Sequence, residues 1–157
     1  MKIALTLLFA TTVLVPASAQ DGFVYWPAAK LKGFPSALKT KAAAGKKGAV
    51  ASEQLGNFGN YTFMVAQRDH NGEPEVHAHW SDIFIAQEGE ATLIYGGAVE
   101  GGHETTPGET RGGKIVGGKT QKLGAGDMAV IPAGTPHQTN PAPGGRFTYM
   151  VIKVEKK

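Results

Sequence analysis

The sequence predicts a single all-β domain, a sandwich or barrel, preceded by a short N-terminal arm. Turn-forming residues are abundant, with 22 glycines and 9 prolines in 157 residues, and a chain of this length forms one domain. From residue 61 onward, short apolar or alternating runs are separated by Gly, Pro, Asn and Asp, without a long helical period. This pattern is typical of an all-β fold. The eight runs are 61–67, 75–79, 83–87, 91–95, 120–123, 128–131, 137–140 and 147–154.

Residues 1–19 have the features of a secretory signal peptide. Lys2 supplies a basic start, an apolar run covers 3–15, and Pro16 precedes the small residues Ala17, Ser18 and Ala19. The run is shorter than a spanning helix requires, so we expect cleavage after Ala19 and no stable membrane insertion. The absence of cysteine excludes a disulfide framework and thiol catalysis. The sequence therefore predicts an exported protein, periplasmic or secreted.

Residues 20–60 are predicted to form the arm, partly helical and packed on the barrel. We expect a short strand at 23–26 and a helix at 35–44 that ends at Gly45. The arm is basic, which indicates a solvated face or, as the alternative, attraction to anionic surfaces or substrates. The formal net charge of the chain, +3, is too small to indicate a nucleic-acid-binding protein. Against two acidic residues the arm has six lysines, Lys30, Lys32, Lys39, Lys41, Lys46 and Lys47.

Residues 61–157 form the predicted barrel, and two of its segments contain the side chains of a metal site. In E-V-H-A-H-W-S-D, His77 and His79 stand two residues apart, so they face the same side of a strand, and Asp82 follows closely. In P-A-G-T-P-H, His137 follows a turn formed by Pro and Gly. Neutral imidazole and carboxylate groups bind divalent transition metals. We therefore expect His77, His79, Asp82 and His137 to hold one ion.

The same two segments resemble the two sequence motifs of the cupin superfamily. In the first motif a glycine precedes H-x-H, a carboxylate and another glycine, and here these are Gly72, His77, His79, Asp82 and Gly89. In the second motif a glycine precedes P-x-G, a histidine and an asparagine, and here these are Gly126, Pro132, Gly134, His137 and Asn140. Asp82 replaces the usual glutamate and follows His79 after a shorter spacing than the superfamily usually has.

The resemblance implies a small jelly-roll barrel with one divalent ion, either Mn, Fe, Ni, Cu or Zn, inside its mouth. Four protein ligands leave two positions of an octahedral ion open to water, dioxygen or a chelating substrate. Oxygenase and isomerase chemistry both occur in the superfamily, so the resemblance leaves the reaction open. We expect a small organic molecule as substrate or ligand. The alternative is a non-catalytic cupin that binds a small ligand, with a structural metal or none.

Residues 96–118 are predicted to be a long irregular loop that closes over the mouth. This glycine-rich segment contains His103 and Glu104, which are candidates for a general base or a substrate contact, or else ordinary exposed loop residues. If His103, Glu104 or Glu109 faces the open side of the metal, catalysis is favoured. If all three face solvent, binding without turnover is favoured.

Strand alternation predicts which side chains near Asp82 lie inside the barrel. Phe84 and Ala86 share the face of Asp82, whereas Ile83 and Ile85 point outward. An outward apolar row needs cover, which either the N-terminal arm or a homodimer would provide. The acidic residues beside the motifs are interpreted as solvated turn and strand-end charges; they are Glu73, Glu75, Glu88 and Glu90.

Overall fold

A computed structural model describes residues 23–44 and 50–157 of the chain, and these contain one helix and thirteen strands. The predicted signal peptide lies outside the described residues. The elements are α1 (Ala28–Ala44), β1 (Ala51–Asn57), β2 (Tyr61–Arg68), β3 (Glu75–His77), β4 (Trp80–Glu88), β5 (Glu90–Tyr95), β6 (Ala98–Glu100), β7 (His103–Thr106), β8 (Glu109–Arg111), β9 (Lys114–Val116), β10 (Lys119–Gly124), β11 (Met128–Ile131), β12 (His137–Pro141) and β13 (Phe147–Glu155).

The strands form two main antiparallel sheets that pack face to face. The first sheet has the order β1-β2-β13-β4-β11, and the second has the order β10-β5-β12-β3-β8-β7. Consecutive strands repeatedly fall in different sheets, so the chain crosses between the two layers as in a jelly roll. The small pair β6-β9 stands apart. The predicted all-β jelly-roll fold is confirmed.

The main core lies between the two sheets. Strand β13 contributes Phe147, Tyr149 and Val151 to it, each at most 4% exposed, and β4 contributes Phe84 and Ala86. Alternation along β4 places these two side chains on the same face as buried Asp82, as the sequence predicts. The inner faces of both sheets are therefore apolar at one end and, around Asp82, polar at the other.

Helix α1 packs on the outer face of the first sheet. Phe34 and Leu38 of the helix form a second core with Leu55 of β1 and Val65 of β2. The helix begins at Ala28, earlier than predicted, because Pro35 is tolerated inside it and does not mark its first turn. The predicted strand at 23–26 is absent, since these residues belong to no strand. No helix in the described part of the chain is long and apolar enough to span a bilayer.

Helix α1 does not cover the edge of the first sheet formed by β4 and β11. On strand β4, Ile83 and Ile85 face outward and are half-buried, as alternation predicts. Their neighbours on the edge strand β11 are Val130 and Met128, which are 59% and 66% exposed. The arm therefore covers only the part of the outer face formed by β1, β2 and β13.

The segment 96–118 is not the irregular loop that the sequence predicts. It contains four short strands, in which β6 pairs with β9 and β7 pairs with β8. Each strand has only three or four residues between glycine-containing turns, too short for a periodicity criterion to detect. Strand β8 also pairs with β3 and so extends the second sheet. The turn between β7 and β8 lies against His79, since a Cβ at Gly108 would be 2.9 Å from the ring of that histidine.

Candidate metal site

Strand pairing places Glu75 of β3 directly opposite His137 of β12 in the second sheet. His77, two residues further along β3, faces the same side as Glu75. One ligand atom from each of these three residues lies within 4.8 Å of the other two. His77 and His137 are buried, at 2% and 3% exposure. A cluster of imidazole and carboxylate groups therefore forms on the inner face of this sheet.

Asp82 reaches the same cluster from strand β4 of the opposite sheet. Its Oδ2 lies 3.4 Å from Nε2 of His77 and 3.6 Å from Nε2 of His137. Nε2 of His77 is also 3.6 Å from Oε2 of Glu75. The side chains of the two sheets thus meet across the interior of the barrel.

Hydrogen bonds on the far side of each ring orient the two imidazoles. Nδ1 of His77 lies 2.5 Å from a carboxylate oxygen of Glu109, and Nδ1 of His137 lies 3.1 Å from the carbonyl oxygen of Thr135. Since carboxylate and carbonyl oxygens accept hydrogen bonds, each Nδ1 is the protonated donor, which leaves Nε2 with its lone pair. Both Nε2 atoms therefore face the cluster as metal ligands do.

The turn before His137 has the geometry that the Pro/Gly pattern predicts. Gly134 has a φ of 79°, in the left-handed region that favours glycine. Its N–H donates to the carbonyl of His77 at 2.8 Å. The turn therefore joins the two motifs directly and fixes the entry of β12.

The arrangement fits a divalent ion. Nε2 of His77 is buried and has no hydrogen-bond partner among the described residues, although two carboxylate oxygens lie within 3.6 Å of it. A lone pair facing carboxylates is unfavourable, and either a second proton on the ring or a metal ion between the ring and the carboxylates removes the conflict. Metal bonds to nitrogen and oxygen are about 2.1 Å long, which separates neighbouring ligand atoms by about 3.0 to 3.4 Å. The spacings of 3.4 to 3.6 Å between the imidazole nitrogens and the carboxylate oxygens are close to this range.

The same cluster shifts the pKa values of its members. Burial alone would lower the pKa of the His77 imidazole, but the carboxylates of Asp82 and Glu109 outweigh it and raise the pKa. Burial alone would raise the pKa of Asp82, but the adjacent rings of His137 and His77, which can donate to it when protonated, and the charge of Lys153 lower it far below the usual range. The site therefore keeps Asp82 ionised and favours a cation, proton or metal, beside it.

Basic side chains surround the carboxylates. Lys153 donates to Oδ1 of Asp82 at 2.8 Å, which leaves Oδ2 facing the imidazoles. Arg68 and Arg111 contact the two oxygens of Glu75 at 2.8 and 3.0 Å. Arg68 is also held by the hydroxyl of Tyr149, which accepts at 3.0 Å. Glu75 and Asp82 are thus each paired with at least one fixed positive charge.

Of the four predicted metal ligands, the structure brings together His77, Asp82 and His137. His79 lies outside the cluster, and its side chain is exposed. Strand β3 ends at His77, and the chain bends at the next two residues, so the two-residue spacing no longer gives a common face. Glu75, at the same spacing on the other side of His77, takes the place beside it.

The two candidate catalytic residues do not reach the cluster. His103 and Glu104 are exposed on the edge strand β7, and a carboxylate oxygen of Glu104 accepts from the N–H of Gly108 at 2.8 Å. Glu109 points inward, but it contacts the back of the His77 ring and not the side where the ligand atoms converge. The segment therefore contributes a positioning residue in place of the predicted general base.

Sequence reasoning missed Arg111 and Lys153 as site residues, and it considered Glu109 only as a group at the open side of the metal. Its interpretation of Glu75 as a solvated charge is wrong, because Glu75 lies beside His77 and His137. Two of these four site residues follow a readable pattern: Glu75 alternates with His77, and Lys153 alternates with buried Tyr149 and Val151. Glu109 and Arg111 had no such signal, because they reach the site only through the pairing of β8 with β3. The long-range pairing of three-residue strands cannot be predicted from local sequence patterns.

Comparisons with known proteins agree with this fold. Residues 116–157 match the family model described as the AraC-like ligand binding domain. None of the curated proteins matches the chain in sequence. A structure of an uncharacterized conserved protein with a double-stranded β-helix domain from Klebsiella pneumoniae is similar with a TM-score of 0.52 and 17% identity, over 70% of this chain and 80% of that one.

Two similar structures have assigned activities. Peruvianin-I, described as a cysteine peptidase from Thevetia peruviana latex, aligns with a TM-score of 0.54 and 16% identity over 90% of this chain and 77% of that one. Oxalate oxidase aligns with a TM-score of 0.51 and 14% identity over 70% of this chain but only 53% of its own length. At these identities the likeness concerns the fold alone, and this chain contains no cysteine.

Two independent observations now agree with the resemblance predicted from the sequence. The chain contains the two sequence motifs in the expected order, and they meet across the interior of a jelly-roll barrel. Its structural neighbours include a double-stranded β-helix protein. The predicted resemblance to the cupin superfamily is therefore confirmed.

Proposed function

We propose that this protein holds one divalent transition-metal ion with Glu75, His77, Asp82 and His137 and acts on or binds a small organic molecule beside it. The observation that carries the proposal is the buried Nε2 of His77, which has no hydrogen-bond partner among the described residues and faces two carboxylates. The match to a ligand binding domain supports a small molecule as the partner. The ligand set suits Mn, Fe, Ni, Cu or Zn.

The protein's own residues would hold, orient and shield the site. Glu109 and the carbonyl of Thr135 keep both imidazoles in the tautomer that presents Nε2. Phe84 packs against the rings of His137 and Tyr149, so this side of the cluster has apolar walls. A bound ion would supply Lewis-acid polarisation or, if redox-active, electron transfer.

Metal analysis of the purified protein tests the proposal. We expect about one equivalent of a transition metal in the wild type, and a loss of most of it in His137→Ala. The matched control is His70→Ala, which removes an exposed histidine whose one polar side-chain contact with the described residues is to its neighbour Asp69. Circular dichroism confirms that each variant is folded. Less than about a tenth of an equivalent in folded wild-type protein, even after incubation with each metal in turn, would reject the metal site.

A second candidate is a binding protein without turnover. The exposed positions of His103 and Glu104 favour it, because neither of these two candidate bases lies where a bound molecule would contact it. Single-turnover assays with metal-loaded protein separate the candidates. Binding of a small molecule that is recovered unchanged supports the binding module, whereas its conversion supports an oxygenase or isomerase.

Export is also part of the proposal. The basic start, apolar run and small residues of 1–19 support cleavage after Ala19. Fractionation of an expressing Gram-negative host, with N-terminal sequencing, should find a periplasmic chain that begins at Gln20. An uncleaved chain confined to the cytosol would contradict the proposal.

A further inference from the structure

A small cavity opens beside the candidate metal site, between the inner faces of the two sheets. Its volume is about 150 Å3, and its walls include Asp82, His137 and Tyr149. A cavity of about 150 Å3 is large enough for benzene, so the occupant has only a few carbon atoms. The cavity therefore limits the size of the small molecule that the site can take.

The walls of this cavity contain an unusual number of fixed cations. Arg68, Arg111 and Lys153 all line it, together with the carboxylates of Asp82 and Glu75. In the cluster as a whole, Glu109 provides a third carboxylate. Three positive and three negative side chains balance one another while both histidines are neutral. A divalent ion on Glu75 and Asp82 would leave two positive charges in excess.

An excess of positive charge in a buried cavity is costly unless an anion compensates it. Arg68 cannot serve a ligand well, since its side chain is 13% exposed and it already donates to both Glu75 and Tyr149. Lys153 and Arg111 are more accessible, at 22% and 38% of their side-chain areas. Each contacts a single acceptor side chain within the described part of the chain, Asp82 for Lys153 and Glu75 for Arg111.

The remaining donors of these two residues are suited to a carboxylate. An ammonium group has three N–H donors and a guanidinium group five, so both retain free donors after their protein contacts. The planar guanidinium also matches the two oxygens of a carboxylate. The two cations reach the cavity from β13 of one sheet and β8 of the other.

We propose that the cavity binds a small organic carboxylate, which Lys153 and Arg111 hold next to the metal site. This inference rests on the proposed function, because the metal ion supplies the excess positive charge. A neutral molecule of the same shape would leave that charge unpaired. The protein should therefore discriminate strongly between a carboxylate and its amide.

Calorimetric titration of the full mature protein loaded with Co2+ tests the proposal. The probes are butyrate and succinate, each compared with its neutral isostere, butyramide and succinamide. At least one carboxylate should bind about tenfold or more tightly than its amide, the scale of one charge-assisted hydrogen bond. A spectral change of the bound cobalt on addition of the carboxylate would place it at the metal.

Two variants assign the preference to the two cations. Lys153→Met and Arg111→Gln should each reduce carboxylate affinity about tenfold or more and leave amide binding unchanged. The matched controls Lys122→Met and Arg146→Gln alter exposed residues and should have no effect. Cobalt uptake, measured on every variant, shows whether the metal site survives.

The possible failures can be told apart. If the folded protein takes up no cobalt, the proposed metal function fails and the carboxylate proposal falls with it. If the protein takes up cobalt but binds neither carboxylate better than its amide, only the carboxylate proposal is overturned. Equal losses in the variants and their controls would also overturn it, since the preference would then not come from Lys153 and Arg111.

Discussion

Glu109 accepts a hydrogen bond from Nδ1 of His77 at 2.5 Å, across the pairing of strands β8 and β3. The two residues are direct partners in the register of that pair. A carboxylate in this position fixes the tautomer of the imidazole and strengthens it as a ligand. The orientation of His77, a proposed metal ligand, thus depends on a segment that lies outside both motifs in sequence.

Removal of Glu109 should therefore weaken metal binding without removing a ligand. We expect Glu109→Ala to lower metal affinity about tenfold to hundredfold. The control is Glu104→Ala, which removes an exposed carboxylate of the same segment. Competition with a chromophoric chelator measures both affinities. Equal affinities in the two variants would show that the hydrogen bond does not orient His77 for the metal.

The identity of the ligands gives a second prediction. Glu75→Gln should reduce metal affinity about tenfold or more, while His79→Ala should leave it unchanged, because only Glu75 lies in the cluster. Glu73→Gln is the matched control, an exposed glutamate two residues away. Metal content after dialysis provides the measurement. If His79→Ala empties the site and Glu75→Gln does not, the ligand set predicted from the motifs is the better one.

Metal retention should depend on pH through the imidazoles. Ligand histidines must be unprotonated, and the raised pKa of His77 makes its proton a stronger competitor with the metal. We expect metal to be released as pH falls below about 6. Dialysis across a pH series, followed by metal analysis, tests this. Full retention at about pH 4 would argue against histidine ligation.

In the metal-free protein, protonation of His77 at low pH should instead stabilise the fold. Because folding raises the pKa of His77 above its ordinary value of 6.5, its proton stabilises the fold below pH 6.5, and this stability is lost as pH rises through the folded pKa. His77→Gln should therefore cost more thermal stability at about pH 5.5 than at about pH 8. Melting curves of both proteins in chelator measure the difference. A cost that grows with pH would reverse the assigned direction.

The contribution of Asp82 to the stability of the metal-free protein should be lost in acid. Its folded pKa lies far below the ordinary value of 3.8, so its ionised form stabilises the fold above pH 3.8, and this stability is lost as pH falls lower. Asp82→Asn should therefore destabilise the metal-free protein at neutral pH and much less in strong acid. Urea unfolding of both proteins at the two pH values provides the test. An equal cost at both would mean that the charge of Asp82 does not matter.

The packing of the arm can be tested separately from the site. Leu38 is 2% exposed in the core between α1 and the sheet, so Leu38→Ala should cost about 2 to 5 kcal/mol in the free energy of unfolding. Lys39→Ala, on the exposed face of the same helix, should cost less than about 0.5 kcal/mol. Similar unfolding curves for the two variants would show that the arm adds little stability.

Sequence patterns predicted most of the barrel because its long strands alternate visibly. The run at 128–131 matches β11 without change, and the runs at 61–67 and 147–154 differ from β2 and β13 by one residue each. Strand β1 was missed because its sequence, A-S-E-Q-L-G-N, is mostly polar and contains a bulge at Gln54. Its burial comes from α1, which no local pattern reveals.

The site was harder to predict because it depends on where one short strand ends. The motif favoured His79, but the chain leaves β3 at His77 and bends, so the same-face rule applies to Glu75 instead. Lys153 was readable in principle, as the next inward position after Tyr149 and Val151. Glu109 and Arg111 could not be predicted in this way, because the pairing of β8 with β3 brings them to the site.

Strand β8 carries two side chains of the candidate site, and one register places both of them. Glu109 and Arg111 face the same side because they are two residues apart, and only three residue pairs align β8 with β3. A slip of one residue would turn both side chains away together. The proposed orientation of His77 and the proposed contact of Arg111 with a carboxylate thus depend on the same three-residue strand, and a one-residue insertion or deletion that shifts the register of β8 would remove both.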